Sequence, residues 1–324
     1  MRSRPAAVEQ AVHEKYATLA GASDSSRVLG SWVNNGEELT TRMVVSMDGS
    51  TTTLAALIAA SGSGGGRILD LGTADGRLLR AAHATLGLAH DRIVGVSALD
   101  QRHQAADRTS LPDSSYLIMN LDLLHEATHP SLVEPFSLVY SSATFYHLVD
   151  PLGALAAAYD RLAVDGLLLI RHVPLAAQLG LPGTSPLSEA CAGLSAFWRA
   201  AGHDCAISEM GEKPGLCLVA VRRGKDSPSA LRLPYEYTGA VVSIGAGTGW
   251  RYARLREDAE LASAADAPTS TLDDVGEFLR SRCGCAVELA QSSTSPSSTS
   301  IKDTVVGGPR PGASSSLGNK CVVS

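Results

Sequence analysis

The feature that most constrains this chain is an alternation that begins at Arg67 and runs to Arg222. Short, nearly continuous apolar segments recur over Arg67–Leu71, Arg92–Val96, Tyr116–Met119, Phe136–Ser141 and Gly166–His172. Between and after them, helices are expected over Arg77–Leu88, Asp100–Arg108, Leu152–Leu162 and Ser188–Ala200. Strands without a polar face belong to a sheet covered on both sides. Their alternation with helices predicts an α/β, doubly wound sheet. Two further strands, Cys205–Glu209 and Leu216–Arg222, are joined through Lys213-Pro-Gly215. That turn is too short for a parallel crossover, so the last strand should run antiparallel.

The most informative segment inside this pattern is Ile68-Leu-Asp-Leu-Gly-Thr-Ala-Asp-Gly76. A strand ends at Asp70, and a tight turn with Gly72 and Gly76 leads into a helix. Glycine lets backbone approach a ligand closely, and a helix N-terminus presents free N–H donors. A turn of this kind between the first strand and first helix of an α/β unit is a common nucleotide-cofactor site.

Three segments together resemble the class I S-adenosylmethionine-dependent methyltransferases. Asp70-Leu-Gly72-Thr-Ala74-Asp-Gly76 is similar to the family's acid-x-Gly-x-Gly-x-Gly motif, with Ala74 at the middle glycine. Phe136 to Asp150 resembles its fourth-strand motif, and Leu162 to Ile170 the turn into its fifth strand. The resemblance implies a doubly wound, Rossmann-like methyltransferase sheet with an antiparallel last strand, and S-adenosylmethionine as cofactor. It implies that Gly72, Thr73 and Gly76 line the methionine and ribose portion, with Asp70 beneath the methionine end. Asp122, with Leu123 beside it, matches the acid at the adenine amino group. Ser141 and Ser142 lie where the fourth strand opens toward the methyl group.

One departure stands out. Ser97 occupies the position of the acid that accepts bonds from both ribose hydroxyls, and a hydroxyl makes weaker bonds than a carboxylate. Asp100 is either a substitute for that acid or the N-cap of the following helix. Ser137 stands where an aspartate is common. Methyl transfer needs alignment above all, and a base only when the acceptor must lose a proton. His147 is the candidate base, or else a hydrogen-bonded residue closing its loop. Tyr146 lines the acceptor pocket or packs beside it, and Tyr16 covers the cofactor or staples an N-terminal helix. The expected activity is methyl transfer to a small-molecule or lipophilic acceptor. The departures motivate the alternative, a methyltransferase-like binding or scaffold protein without catalysis.

Around this core, residues 1–66 are expected to form an N-terminal helical cap, with helices over Ala6–Ala20 and Thr53–Ala60. Residues 67–223 are the cofactor-binding domain, 224–290 a small α+β appendix, and 291–324 a disordered tail of Ser, Thr, Gly and Pro. The appendix contains a second glycine cluster, Gly245-Ala-Gly247-Thr-Gly249, with Ser243 at the acid position. Too few residues follow for a second nucleotide domain, so Ala240–Ile244 and Trp250–Leu255 are expected to pair as a hairpin. A helix over Asp273–Arg280 and a strand over Cys285–Leu289 complete the appendix.

Composition removes several classes. A net charge of −6 argues against a nucleic-acid partner. No apolar run reaches the roughly 18 residues of a membrane span. Arg2 and Arg4 are followed by Glu9 and Glu14, which interrupt any secretory signal and point to the cytoplasm. The six cysteines are then expected as free thiols, and Cys283-Gly-Cys285 lacks a second ligand pair, so no metal is expected. Cys321-Val-Val-Ser324 fits the prenylation pattern, with a terminal serine favouring farnesyl. One lipid gives only marginal membrane binding. Farnesylated Cys321 therefore predicts reversible association with a membrane from the cytosolic side, and an unmodified tail predicts none.

Overall fold

The computed structural model describes residues 42–45, 47, 50–102, 110–175, 187–210 and 216–231. It also describes helical positions 9, 10, 12, 13 and 17, and three short strands between 241 and 263. The sequence-expected Asp273–Arg280 helix, the Cys285–Leu289 strand, Tyr16, Cys283, Cys285 and the tail with Cys321 lie outside them.

Seven strands form the central sheet: β3 (Ile68–Leu71), β4 (Ile93–Ser97), β5 (Tyr116–Ile118), β6 (Phe136–Ser141), β7 (Leu162–Val173), β8 (Asp204–Glu209) and β9 (Cys217–Arg222). Their order is β5-β4-β3-β6-β7-β9-β8. Every pair from β5 to β7 is parallel, whereas β9 runs antiparallel to both β7 and β8. The expected strands are present within a few residues, and the short Lys213–Gly215 connection has the predicted consequence. Because the chain leaves β3 toward β4 on one side and returns to β6 on the other, a crevice opens at the carboxyl end of β3.

Helices cover both faces. On one, α1 (Leu54–Gly62) and α2 (Arg77–Leu86) bury Leu54, Ile58, Leu78 and Leu79 against Ile68, Ile93 and Leu138. On the other, α4 (Pro151–Asp160) and α5 (Leu187–Ala200) bury Leu152, Leu155, Phe197 and Trp198 against Leu69, Val94 and Val139. The short α3 (Pro130–Val133) adds Leu132 to that second layer. Leu69 and Leu71 face one layer and Ile68 the other, which is the period-2 alternation a doubly covered strand requires.

Helix ends follow local chemistry. Thr53 caps α1 by accepting from the Ala56 N–H at 3.1 Å. Asp150 caps α4 by accepting from the Gly153 N–H at 2.9 Å, with Pro151 at the first helical position. Gly87 ends α2 in the left-handed conformation, its N–H donating to His83 O at 3.1 Å.

Three features were not expected. Before α1, in the polar stretch, β1 (Met43–Val45) and β2 (Thr51–Thr53) pair as an antiparallel hairpin. Strand β7 is longer than its apolar run because it includes an irregular turn, where Asp165 adopts φ +64°. A Cβ on Gly166 would lie 2.8 Å from Phe136 O, so only glycine lets β7 close onto β6 there. Beyond the main sheet, β10 (Val241–Ile244) and β11 (Arg251–Leu255) pair antiparallel, and a third strand, β12 (Leu261–Ser263), extends them. Two strands thus flank the second glycine cluster, rather than the strand and helix of a nucleotide turn.

Cys191, Cys205 and Cys217 are free and buried, with the Cys191 and Cys217 sulfurs 3.3 Å apart. Among the described residues no helix is long and apolar enough to cross a membrane, and no group of metal-ligating side chains converges. Trp198 is fully buried under the second face of the sheet. Trp198→Ala is expected to cost about 3–5 kcal/mol, read as a lowered midpoint in urea unfolding followed by far-ultraviolet circular dichroism.

Candidate functional site

The site is built on the turn that follows β3. Gly72 (φ +85°), Ala74 (φ +49°) and Gly76 (φ +80°) all take left-handed backbone. The Gly72 and Thr73 N–H groups both donate to Val96 O, at 2.8 and 3.0 Å, and bind the turn to the end of β4. Each glycine is also needed for space. A Cβ on Gly72 would lie 2.0 Å from Thr144 Oγ1, and one on Gly76 would lie 2.4 Å from Leu111 Cδ1. The two glycines therefore admit neighbouring parts of the protein as well as a tight backbone course.

The turn is locked from the helix side by Asp75, buried at the start of α2. Its carboxylate accepts from Arg77 Nε at 2.6 Å and from the Arg77 N–H at 3.2 Å, while Arg80 donates to the Asp75 carbonyl. Two cations in the first turn oppose the helix dipole. The buried carboxylate offsets them.

Beneath the turn lies a set of buried polar atoms. Asp70 is 3% exposed, and its Oδ2 has no hydrogen-bond partner. Burial pushes its pKa up to about 7, with the Thr73 hydroxyl opposing that shift. Thr73 Oγ1 itself has no partner at hydrogen-bond geometry. On the neighbouring strand Tyr140 is in register with Asp70. Its hydroxyl is likewise buried without a partner at hydrogen-bond geometry, with the Ser142 hydroxyl and Arg42 guanidinium close by. Burial pushes the Tyr140 phenol up to about 12; Arg42 opposes the shift and Asp70 adds to it. Arg42, just before β1, donates from Nη1 to Ser142 Oγ at 2.7 Å. Buried polar atoms without partners are uncommon in native proteins and call for an explanation.

At the end of β4, Ser97 is buried and donates to Leu99 O at 2.8 Å. Tyr116 fills the space below. Its hydroxyl donates to Ala74 O at 2.6 Å and accepts from the Gln101 N–H at 3.2 Å. Asp100 accepts from the Arg102 N–H at 3.1 Å and from Arg102 Nε and Nη2 at 3.0 and 2.7 Å. Arg102 also reaches Asp113 at 2.6 Å and lies over the Tyr116 ring. The Asp100 carboxylate is thus engaged in a bidentate ion pair and a local backbone cap. The rest of the expected 100–108 helix lies outside the described residues.

Asp122 is fully buried in a 3-10 turn, Leu121–Glu126. Its two oxygens accept from the Val149 and Asp150 N–H groups at 3.2 and 2.9 Å, so it clamps the loop after β6 to the loop after β5. Leu123 beside it is half-buried. Ser141 donates to Leu71 O at 2.6 Å and ties β6 to β3.

The loop after β6 carries Ser142 to His147 and ends in the short 3-10 turn Phe145–His147. Tyr146 and His147 lie with ring centroids 4.2 Å apart, and His172 from β7 presents its ring edge-on to Tyr146 at 6.2 Å. Burial pushes the Tyr146 phenol above its ordinary range.

Asp70, Gly72, Thr73, Gly76, Ser97 and Ser141 therefore gather at the carboxyl ends of β3, β4 and β6, with Tyr146 and His147 on the adjoining loop. Asp122 sits at the far side of that loop, engaged with its backbone. Sequence reasoning passed over Arg42, Asp75, Tyr116, Tyr140, Thr144 and His172. His172 left a signal as a histidine inside the apolar run of β7, and Asp75 as the acid ahead of two arginines. Arg42 left none, because its place depends on the β1–β2 hairpin.

Residues 48–201 match a family model described as a methyltransferase domain. The match takes in α1, which the sequence pattern assigned to the N-terminal cap. Among solved structures, an S-adenosylmethionine-dependent methyltransferase from Mesorhizobium loti is 22% identical; the match covers 55% of this chain and 100% of that one, with a TM-score of 0.36. An amino pentose methyltransferase from Micromonospora echinaspora, solved with S-adenosylmethionine, is 17% identical over 52% of this chain and 88% of that one, with a TM-score of 0.34. A plantazolicin methyltransferase solved with SAH is 12% identical over 68% of this chain and 100% of that one, with a TM-score of 0.43. No curated protein matches the chain.

The raised Asp70 pKa makes stability depend on pH. Below about pH 3 the group is protonated in both folded and unfolded chains, and it carries no penalty. As pH rises toward 7 the unfolded chain releases its proton first, so the folded state loses up to about 4 kcal/mol. Asp70→Asn is expected to raise the thermal midpoint of the ligand-free protein near pH 8 and to leave it unchanged at about pH 3. Equal effects at both values would contradict the assignment.

Proposed function

We propose that this chain, in which residues 48–201 match a methyltransferase-domain family model, is a class I S-adenosylmethionine-dependent methyltransferase that transfers a methyl group to a small-molecule acceptor. The observation that carries this reading is the group of partnerless buried atoms, Asp70 Oδ2, Thr73 Oγ1 and Tyr140 Oη, in the crevice at the end of β3. Those atoms fit the polar, doubly charged amino-acid end of such a cofactor.

The opposite charges are arranged for it. The Asp70 carboxylate would take the ammonium group, and the Arg42 guanidinium near Tyr140 would take the carboxylate. Gly72, Thr73 and Gly76 would form the wall along the methionine and ribose. Ser97 keeps lone pairs for a ribose hydroxyl while it donates to Leu99 O. Asp100, paired with Arg102, would act by shaping that loop. On the adenine side Leu123 offers apolar contact, and Asp122 would fix the loop backbone that closes the pocket. Ser141 would hold the mouth of β6 against β3.

When bound, S-adenosylmethionine supplies a methyl group on a sulfonium, which needs no further activation. The protein then has to align the acceptor and keep water out. Tyr146 and His147 form a partly apolar, hydrogen-bonding wall beside the crevice, suited to a small aromatic or lipophilic acceptor that carries a hydroxyl or amine. His147 would receive the acceptor's proton where one must leave. Tyr146, kept neutral by burial, would donate a hydrogen bond rather than act as a base.

Isothermal titration with S-adenosylmethionine and S-adenosylhomocysteine tests this reading, and no binding at millimolar ligand overturns it. Near pH 7 about half of the Asp70 carboxyls carry a proton. A bound ammonium would displace it, so the binding enthalpy should vary with the ionisation enthalpy of the buffer. Asp70→Asn should remove that dependence, and Arg42→Gln should weaken binding about tenfold. Binding without turnover of any acceptor would favour a binding protein instead.

A further inference from the structure

His172 is a residue that the expected chemistry does not use, and its geometry is unusual. It lies near the end of β7, where the register against β9 shifts between Ile170 and Val173. It is 5% exposed and takes φ +65°, a conformation that costs a β-carbon-bearing residue. Its backbone N–H has turned toward Met210 Sδ, 3.3 Å away. Its Nδ1 accepts from the Ala143 N–H at 3.0 Å. An N–H can only donate, so the ring proton sits on Nε2.

Ala143 is the other half of the arrangement. It too is a non-glycine residue with positive φ, +59°. The next residue, Thr144, fills the space beside Gly72 that a Cβ there would occupy. Thr144 Oγ1 donates to Ser142 O at 3.2 Å, and the His147 N–H donates to Thr144 O at 2.9 Å. Two strained residues that meet through one hydrogen bond therefore sit directly behind the contact between the post-β6 loop and the glycine turn. Such strain persists only where surrounding contacts hold it, and it concentrates at functional sites.

We propose that His172 is a positioning residue: through Ala143 it holds the loop of residues 142–147 against Gly72, and so presets one wall of the cofactor crevice. This rests on the reading that the glycine turn receives S-adenosylmethionine. A wall already in place loses no further freedom when the ligand arrives, which raises affinity. His172 touches neither cofactor nor acceptor in this role.

Asparagine and glycine at position 172 separate the hydrogen bond from the backbone strain. Asparagine tolerates positive φ and places an acceptor oxygen near the site of Nδ1. Glycine relieves the strain but offers no acceptor, so loss of folding is not its expected effect. Two quantities are read in the full chain: amide hydrogen exchange across residues 142–147, and the dissociation constant for S-adenosylhomocysteine. In His172→Gly, exchange at Ala143 should accelerate about tenfold or more and binding should weaken about tenfold. In His172→Asn both should stay within about threefold of the unmodified protein.

Unchanged exchange in His172→Gly overturns the proposal. Faster exchange with unchanged affinity also overturns it, since His172 would then be merely structural. If asparagine behaves like glycine, the acceptor at Nδ1 is not the operative feature, and the proposal fails. Should the unmodified protein bind no S-adenosylhomocysteine, the methyltransferase reading fails separately. The exchange comparison then still decides whether His172 holds the loop.

Discussion

Two backbone N–H groups, those of Gly72 and Thr73, converge on the single carbonyl of Val96. That bifurcated contact fixes how the chain leaves β3 and where α2 begins. It can form only because the turn takes left-handed backbone and Gly95 leaves room for the Thr73 side chain, which a Cβ at 95 would meet at 2.8 Å. The rest of the site is arranged around it. Asp75 locks the turn to α2, Tyr116 ties it to the loop after β4, and Thr144 seats the loop after β6 on Gly72.

The crevice so formed is costly to maintain. Asp70 and Tyr140 are in register on adjacent parallel strands, both buried, and neither has a full set of partners. A core built for stability alone would place apolar residues there. Two arginines outside the site, by contrast, are well supplied with carbonyl partners. Arg161 donates to Leu124 O, Ala127 O and Leu132 O, and Arg67 to Ser131 O and Glu134 O. Arg80 Nε, His90 Nδ1 and His203 Nε2 are unsatisfied elsewhere, but Asp70, Thr73 and Tyr140 group together at the switch point of the sheet, where α/β proteins bind ligands.

Several residues that carry family-like roles by position are employed within the protein itself. Asp122 clamps two loops, Asp100 pairs with Arg102, and Ser141 closes β6 onto β3. Gly72 and Gly76 admit Thr144 and Leu111. A motif match identifies where a residue sits, but not which of its atoms already have partners. Asp122 and Asp70 show the difference. Both are buried acids near strand ends, yet both oxygens of Asp122 accept backbone N–H groups, whereas Asp70 Oδ2 accepts none.

The sequence by itself determined the architecture. Apolar strands alternating with helices admit few arrangements other than a doubly covered sheet, and the short connection between Glu209 and Leu216 forces the final strand to reverse. Local spacing also located the glycine turn, because its conformation depends on residues adjacent in the chain. Only the tertiary structure decided the electrostatics and the walls of the crevice. Arg42 meets Ser142 across 100 positions and His172 meets Ala143 across 29. Contacts of that kind depend on strand register and on an irregular β7, which no local pattern of residue types encodes. The same holds for the pKa of Asp70, whose rise comes from burial in the assembled sheet against the opposing Thr73 hydroxyl.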